Sequence, residues 1–317
     1  MTLVLSVVAP IFLLIALGTI SARSGYLPGS TGDALSGFVF KVAVPALMFR
    51  TVATADFGEA NPALLWIAYF AGVAPVYALG MWIGRRLGRT DRRGAVIAGV
   101  SASFSNLIFV GVPMTERAFG REGLDALALL LAIHLPTMML VSTLLLERAA
   151  LSDAREAGQE ASFSAARVVR QVARNLLRNA LVLGLAGGAL WRWTGLPLDG
   201  PHGEVVRLVA GTAGPTALFA LGMSMVRYPV SGNLATPLAL TSLALLLQPL
   251  IVYLVGSALL PPLWLSVAVA AAACPVGVNA FLFATHFRTG ERLAAGVIVL
   301  STLLAALTLT GWLALLH

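Results

Sequence analysis

Asn106 and Asn279 each sit among small residues, glycines and prolines in the middle of long apolar runs. The first run reads SASFSNLIFVGVP and carries Ser101, Ser103, Ser105, Gly111 and Pro113. The second reads AAACPVGVNAFLFATHF and carries Pro275, Gly277 and Val278. Proline removes a backbone donor and frees a carbonyl, and glycine permits unwinding. A helix broken at such a place leaves a half-helix N-terminus, whose free N–H groups and partial positive charge favour an anion. It also leaves carbonyls that can hold a cation. Asparagine adds two donors and an acceptor without the cost of a buried charge. The chemistry open to this set is binding of a small anion at the helix ends or of a cation at the freed carbonyls, or else a plain helix kink.

Other polar residues inside apolar runs are few. His134, in LAIHLPTMML, has three readings: substrate ligand, carrier of a coupling proton, or neutral histidine hydrogen-bonded between helices. Gln248 either lines a cavity or glues helices together. Lys41 either snorkels or places a positive charge at a cytoplasmic mouth. Thr216 and Ser224 are weaker candidates. No carboxylate lies deep in a run, so an acid-based proton relay or a cation cage is not expected. There is no Walker loop, dinucleotide fingerprint or HExxH, and an enzyme is not expected. One cysteine, Cys274, and four histidines without a cluster exclude a disulfide framework and make structural zinc improbable. No cofactor is expected beyond a coupling H⁺ or Na⁺.

The elements that must position these residues follow from composition. Only 11% of the 317 residues are charged and 58% are hydrophobic, against about 25% charged in a soluble protein. That excludes a soluble globular protein and a disordered chain, and the charge is too sparse for a nucleic-acid binder. A spanning helix needs about 20 apolar residues. Ten candidates run roughly over residues 3–22, 34–53, 63–83, 95–115, 124–146, 175–194, 204–226, 235–258, 264–285 and 293–316. They form an all-α bundle, since an open sheet cannot satisfy its backbone in lipid. The first span lacks a basic leader and is longer than a signal's apolar region, so a retained helix is expected.

Arginines set the orientation. Fifteen lie in the odd-numbered loops, five in the even-numbered loops and their flanks, and Lys41 sits inside a span. Odd loops are therefore expected in the cytoplasm and both termini outside. The longest loop divides the chain into residues 1–146, a linker at 147–174, and residues 175–317, with five spans in each half. Arg167, Arg170, Arg174 and Arg178 would form one stripe on a helix, either against anionic lipid or as an ordinary positive-inside linker.

Because five is odd, two homologous halves must insert with opposite orientation, as in secondary transporters built from inverted repeats. Two landmarks support a repeat. Pro45 and Phe49 of VAVPALMFR match Pro215 and Phe219 of GTAGPTALFA in spacing, and Asn106 aligns with Asn279. Pro45 to Asn106 is 61 positions and Pro215 to Asn279 is 64. Pro45 and Pro215, like Gly111 and Pro113, are candidate helix-break or kink positions.

Ten spans with external termini, proline in the second and seventh spans, SFSNLIFVGVP in the fourth and CPVGVNAFLFA in the ninth resemble the auxin efflux carrier family. The likeness is strongest to its bacterial branch of malonate transporter-like permeases, and covers nearly the whole chain. It implies a fold similar to bile acid–sodium symporters, with crossed broken helices. Spans 1, 2, 6 and 7 would form a scaffold, and spans 3–5 and 8–10 a transport core. Asn106 and Asn279 match the family's crossover asparagines and Pro275 its crossover proline. No proline adjoins Asn106, a departure from the plant pattern, and the central loop is short.

The function expected is secondary transport of a small organic anion, a mono- or dicarboxylate that is malonate- or auxin-like, by an elevator-type motion across the cytoplasmic membrane. The candidate binding residues are Asn106, Asn279, Ser103, Ser105, Pro275, Gly277, Val278 and His134. The alternative is a sodium-coupled symporter for bile-acid-type anions. The lipid bilayer, the anion and a second copy in a homodimer are the expected partners, without nucleic acid.

Overall fold

Apolar chain in lipid must close its hydrogen bonds within each segment, and every regular element among the described residues is helical. The computed structural model describes residues 2–55, 61–156, 164–228 and 233–316. Residues 157–163 of the expected linker, and Met1 and His317, lie outside that set. In chain order the helices are α1 (Thr2–Arg23), α2 (Gly29–Phe38), α3 (Val44–Ala53), α4 (Pro62–Arg86), α5 (Arg92–Ser103), α6 (Val112–Glu156), α7 (Ala165–Leu177) and α8 (Ala180–Thr194). There follow α9 (Gly200–Gly211), α10 (Ala213–Met225), α11 (Ala235–Ser242), α12 (Gln248–Gly256), α13 (Pro262–Ala272), α14 (Asn279–His286) and α15 (Glu291–Leu316).

Three π segments, Val39–Ala43, Leu107–Gly111 and Leu243–Leu247, join α2 to α3, lead into α6 and join α11 to α12. Each ends two residues before a proline: Pro45, Pro113 and Pro249. Proline offers no N–H and its ring pushes away the carbonyl four residues back, so the preceding turn widens to hydrogen bonds five residues long. Pro45 and Pro113, candidate break or kink positions, therefore widen a continuing helix. Gly111 closes the second π segment. Near Pro215 the interruption comes earlier, at Thr212 between α9 and α10.

Seven helical stretches among the described residues are long and apolar enough to cross a membrane. The expected fourth, sixth and ninth spans are present as shorter pieces. α5 has 12 residues, α8 has 15, and α13 and α14 have 11 and 8. The stretch Leu107–Glu156 has 50 residues, far more than one crossing of a hydrocarbon core about 30 Å thick needs. Gly120 divides it with φ 62° and ψ −150°, a conformation that glycine alone adopts without strain. The sixth span was expected from residue 175, but Asn175–Leu177 finish α7. The chain turns at Arg178 and Asn179, whose side chain caps α8 by accepting from the Leu181 N–H at 2.9 Å.

α1 packs on α10, and α3 on α8. Both pairs approach backbone to backbone, because a glycine faces a carbonyl. A Cβ on Gly184 or on Gly188 would lie 2.5 Å from the carbonyl oxygen of Pro45 or Phe49 respectively, and Gly18 and Gly222 meet the carbonyls of Phe219 and Ile15 in the same way. Such contacts let helices associate in lipid, where burial of apolar area gives no drive. The remaining helices pack as α4 on α5, α12 and α13, α6 on α13 and α5, and α11 and α14 on α15. Arg93 pairs with Asp153 at 2.9 Å and Arg92 with Glu156 at 2.6 Å, tying the start of α5 to the end of α6. Leu13, Leu17, Ile20, Leu183, Leu190, Leu254 and Leu307 are exposed, as side chains that face lipid would be.

Candidate functional site

α5 stops at Ser103 and helix resumes at Leu107, while α13 stops at Ala272 and α14 starts at Asn279. The two interruptions lie against each other. The Asn106 N–H donates to the Pro275 carbonyl at 2.7 Å and the Gly277 N–H donates to the Phe104 carbonyl at 2.8 Å. Ser105 and Val276 between them form one antiparallel bridge. The crossing is tied to α15 through the Val276 N–H, which donates to Ser301 Oγ at 3.0 Å. In this register Asn106 opposes Pro275 and Phe104 opposes Gly277, and Asn279 lies two residues beyond the joined segment.

Asn106 is buried and splits its amide between two tasks. Oδ1 accepts from the Phe109 N–H at 3.1 Å and caps the resuming helix. Nδ2 has no partner among the described residues. Asn279 opens α14 and is half-buried. Among the described residues no carbonyl accepts from the backbone N–H of Val278 or Asn279. Unpaired donors therefore stand at the start of α14, where the helix dipole is positive.

Behind the crossing lies a buried polar group. Ser105 Oγ accepts from Gln248 Nε2 at 3.2 Å and donates to the Ala272 carbonyl at 3.4 Å. Tyr69 and His134 face Ser105, one its side chain and the other its backbone, yet neither reaches hydrogen-bond geometry. Both His134 nitrogens, Tyr69 Oη and Gln248 Oε1 are buried without partners among the described residues. The His134 ring is held by Phe104 and Tyr69, with ring centres 4.9 and 5.5 Å away. Buried polar atoms are rarely left unmet, so this cluster is a place for water or a ligand. Tyr69 carried no signal in the sequence, because a tyrosine inside a span reads as packing.

Two cavities touch the crossing region. The smaller, about 20 Å³, is lined by Asn106, His134, Val278 and Asn279, with Phe40 closing it from the π segment after α2. That volume holds about one water molecule. The larger, about 290 Å³, lies between the C-terminal half of α6, α7 and α14. Asn279 lines both. Of the expected binding residues, Asn106, Ser105, Val278, Asn279 and His134 gather at the small cavity. Pro275 and Gly277 build the crossing through their backbone. Ser103 turns its hydroxyl back to the Gly99 carbonyl at 2.9 Å. Among the described residues no group of three or more His, Cys, Asp or Glu could hold a metal ion.

A family model described as membrane transport protein matches residues 3–313. The chain is 27% identical over 313 residues to a putative malonate transporter of Rhizobium meliloti (strain 1021), covering 98% of this chain and 95% of that protein. It is also 27% identical over 309 residues to an uncharacterized transporter of Methanothermobacter thermautotrophicus, covering 96% of each.

Proposed function

The chain belongs to the membrane transport protein family, the auxin efflux carrier family of the sequence resemblance, and is a multi-pass membrane transporter rather than an enzyme; from that premise we propose that it carries a small organic anion, a mono- or dicarboxylate. The observation that carries this reading is the crossing itself, where Asn106 Nδ2 has no partner among the described residues, no carbonyl there accepts from the N–H groups of Val278 or Asn279, and all three residues line one small cavity. A carboxylate there would be held by neutral donors and a helix end, as anions are in other proteins. Similarity to a putative malonate transporter makes a short dicarboxylate one candidate.

Ten crossings in two inverted repeats account for the arrangement. Gly18 and Gly188, like Phe49 and Phe219, stand 170 positions apart. Gly18 meets Phe219 while Gly188 meets Phe49, so one half's contact is the other's with partners exchanged. The two hydrogen bonds of the crossing exchange in the same way at a spacing of 171 positions, Asn106 for Gly277 and Phe104 for Pro275. α1–α3 and α8–α10 would form the scaffold and the other helices the moving core, with Phe40 of the scaffold shutting the small cavity. Core displacement past Phe40 would admit an anion that 20 Å³ does not.

With odd loops in the cytoplasm of a bacterial inner membrane and both termini outside, the membrane potential favours anion exit by about 2.3 kcal/mol per charge per 100 mV. Export then needs no coupled ion, whereas import needs H⁺ or Na⁺. A sodium-coupled symporter is the second reading. Its support is the unpartnered Gln248 Oε1 beside Ser105; replacing sodium by potassium would then abolish uptake.

The test is Asn279→Ala in proteoliposomes. We expect saturable carboxylate uptake and counterflow to be lost while the variant inserts and melts as the parent does. Normal transport by that variant would refute the crossing as the site.

A further inference from the structure

The sequence reads the linker as an ordinary positive-inside connection or an arginine stripe on anionic lipid, and its helix α7 also walls the larger cavity. Val168 and Val172 are buried and fasten α7 to the protein. Gln171 and Asn175, four residues apart and so on one face, line the cavity beside Asn279 and His286. Both residues are also exposed, so the cavity is reachable from outside the protein along this face of α7. Arg167, Arg170 and Arg174 are exposed and do not line the cavity. The cavity has about 290 Å³, close to the lower bound of about 300 Å³ for small-molecule sites. Asn279 is common to it and the small cavity, so a solute there is one side chain from the crossing.

We propose that this cavity is a loading site for the transported carboxylate on the linker side of the membrane, with Gln171 and Asn175 as its ligands and Glu147 as a charge filter. The inference rests on the transport reading above. Amide donors hold a carboxylate as they do at the crossing. Glu147 is the one carboxylate on the wall, and neither lysine nor arginine lines it. A dianion would therefore face a like charge with neither lysine nor arginine on the wall to offset it, whereas a monoanion faces half that repulsion. His286, the other titratable group on the wall, is a donor or an acceptor and offers no carboxylate. The linker helix thus helps to select what is loaded.

The experiment uses the full chain in oriented proteoliposomes at neutral pH, with butyrate and malonate as probes, close in size and unlike in charge. Binding to the purified protein is measured by calorimetry in parallel. Expected results are a lower half-saturation for butyrate than for malonate from the linker side. The double variant Gln171→Ala, Asn175→Ala should raise the linker-side value about tenfold, one charged hydrogen bond's worth, without moving the value from the opposite face. Glu147→Gln should narrow the gap between the probes. Transport by the parent with the double variant unaffected, or a parent that prefers malonate, overturns the loading site and leaves the carrier reading standing. Amide-dependent binding without transport keeps the loading site and overturns the carrier reading. If neither probe binds or moves, both fall. Gln171→Glu, which adds a second carboxylate to the wall, checks the same point with a conservative change and should weaken both probes.

Discussion

Asn106 is placed to hold the fold with one atom and a substrate with another, and the two roles can be separated. Removing the side chain in Asn106→Ala leaves the Phe109 N–H, bonded to Oδ1 at 3.1 Å in a buried position, without its acceptor. Loss of a capping asparagine costs about 0.5–2 kcal/mol, and a buried unmet donor about 1–3 kcal/mol, two descriptions of one loss. A destabilisation of about 1–2 kcal/mol is therefore expected and appears as a lower melting temperature. The same change removes Nδ2, unpartnered among the described residues. A hydrogen bond to a charged group is worth about 1.5–3 kcal/mol, which converts to roughly ten- to hundredfold in half-saturation. Asn106→Ser separates the roles, because its hydroxyl can cap the helix but lacks the amide donors. It should melt close to the parent and transport as poorly as the alanine variant. Thermal unfolding in detergent and initial-rate uptake into proteoliposomes read the two effects. A serine variant with the parent's half-saturation would refute the assignment of Nδ2 to the substrate, and an alanine variant that melts like the parent would refute the cap.

Other substitutions test the packing and the buried polar cluster. Gly184→Val puts a side chain where a Cβ already meets the Pro45 carbonyl at 2.5 Å, and overpacking of this kind costs about 1–3 kcal/mol; Gly37→Ala, where a Cβ meets nothing within 4 Å, is the control and should not lower the melting temperature. His134→Phe should raise stability, since it removes two buried nitrogens without partners that cost about 1–3 kcal/mol if unmet, and should reduce transport. Arg93→Ala should cost less than about 1 kcal/mol, because the Arg93 and Asp153 side chains are 34% and 30% exposed.

What the sequence discloses depends on how each feature is encoded. Apolar runs and their punctuation by Pro275, Gly277 and Asn106 are composition, and the helices and the two interruptions follow from them. Which main-chain groups meet at the crossing is not encoded in the two asparagines that align in sequence. The structure joins Asn106 to Pro275 and Gly277 to Phe104 through main-chain groups, and any residue but proline supplies the N–H donors. Pro45 and Pro113 read as breaks or kinks, and sequence alone does not show that a proline after a π turn widens a helix without ending it. Gln171 and Asn175 stand in a polar, arginine-rich stretch where two more amides attract no attention, and only the fold of α7 on the protein shows that they line a cavity. Phe40 and Tyr69 look like ordinary apolar and aromatic span residues, and their place near the site is set by partners far away in sequence.

The crossing of the two broken helices joins Phe104 and Asn106 to Gly277 and Pro275 by main-chain groups alone. Such a joint reads length and not identity. Substitution at Ser105 or Val276 leaves the backbone in place, whereas one residue inserted between Phe104 and Asn106 would shift α6 against α14 and turn the donors at the start of α14 away from Asn106. Chains that share this joint are therefore free to drift in sequence around it, as long as they keep count.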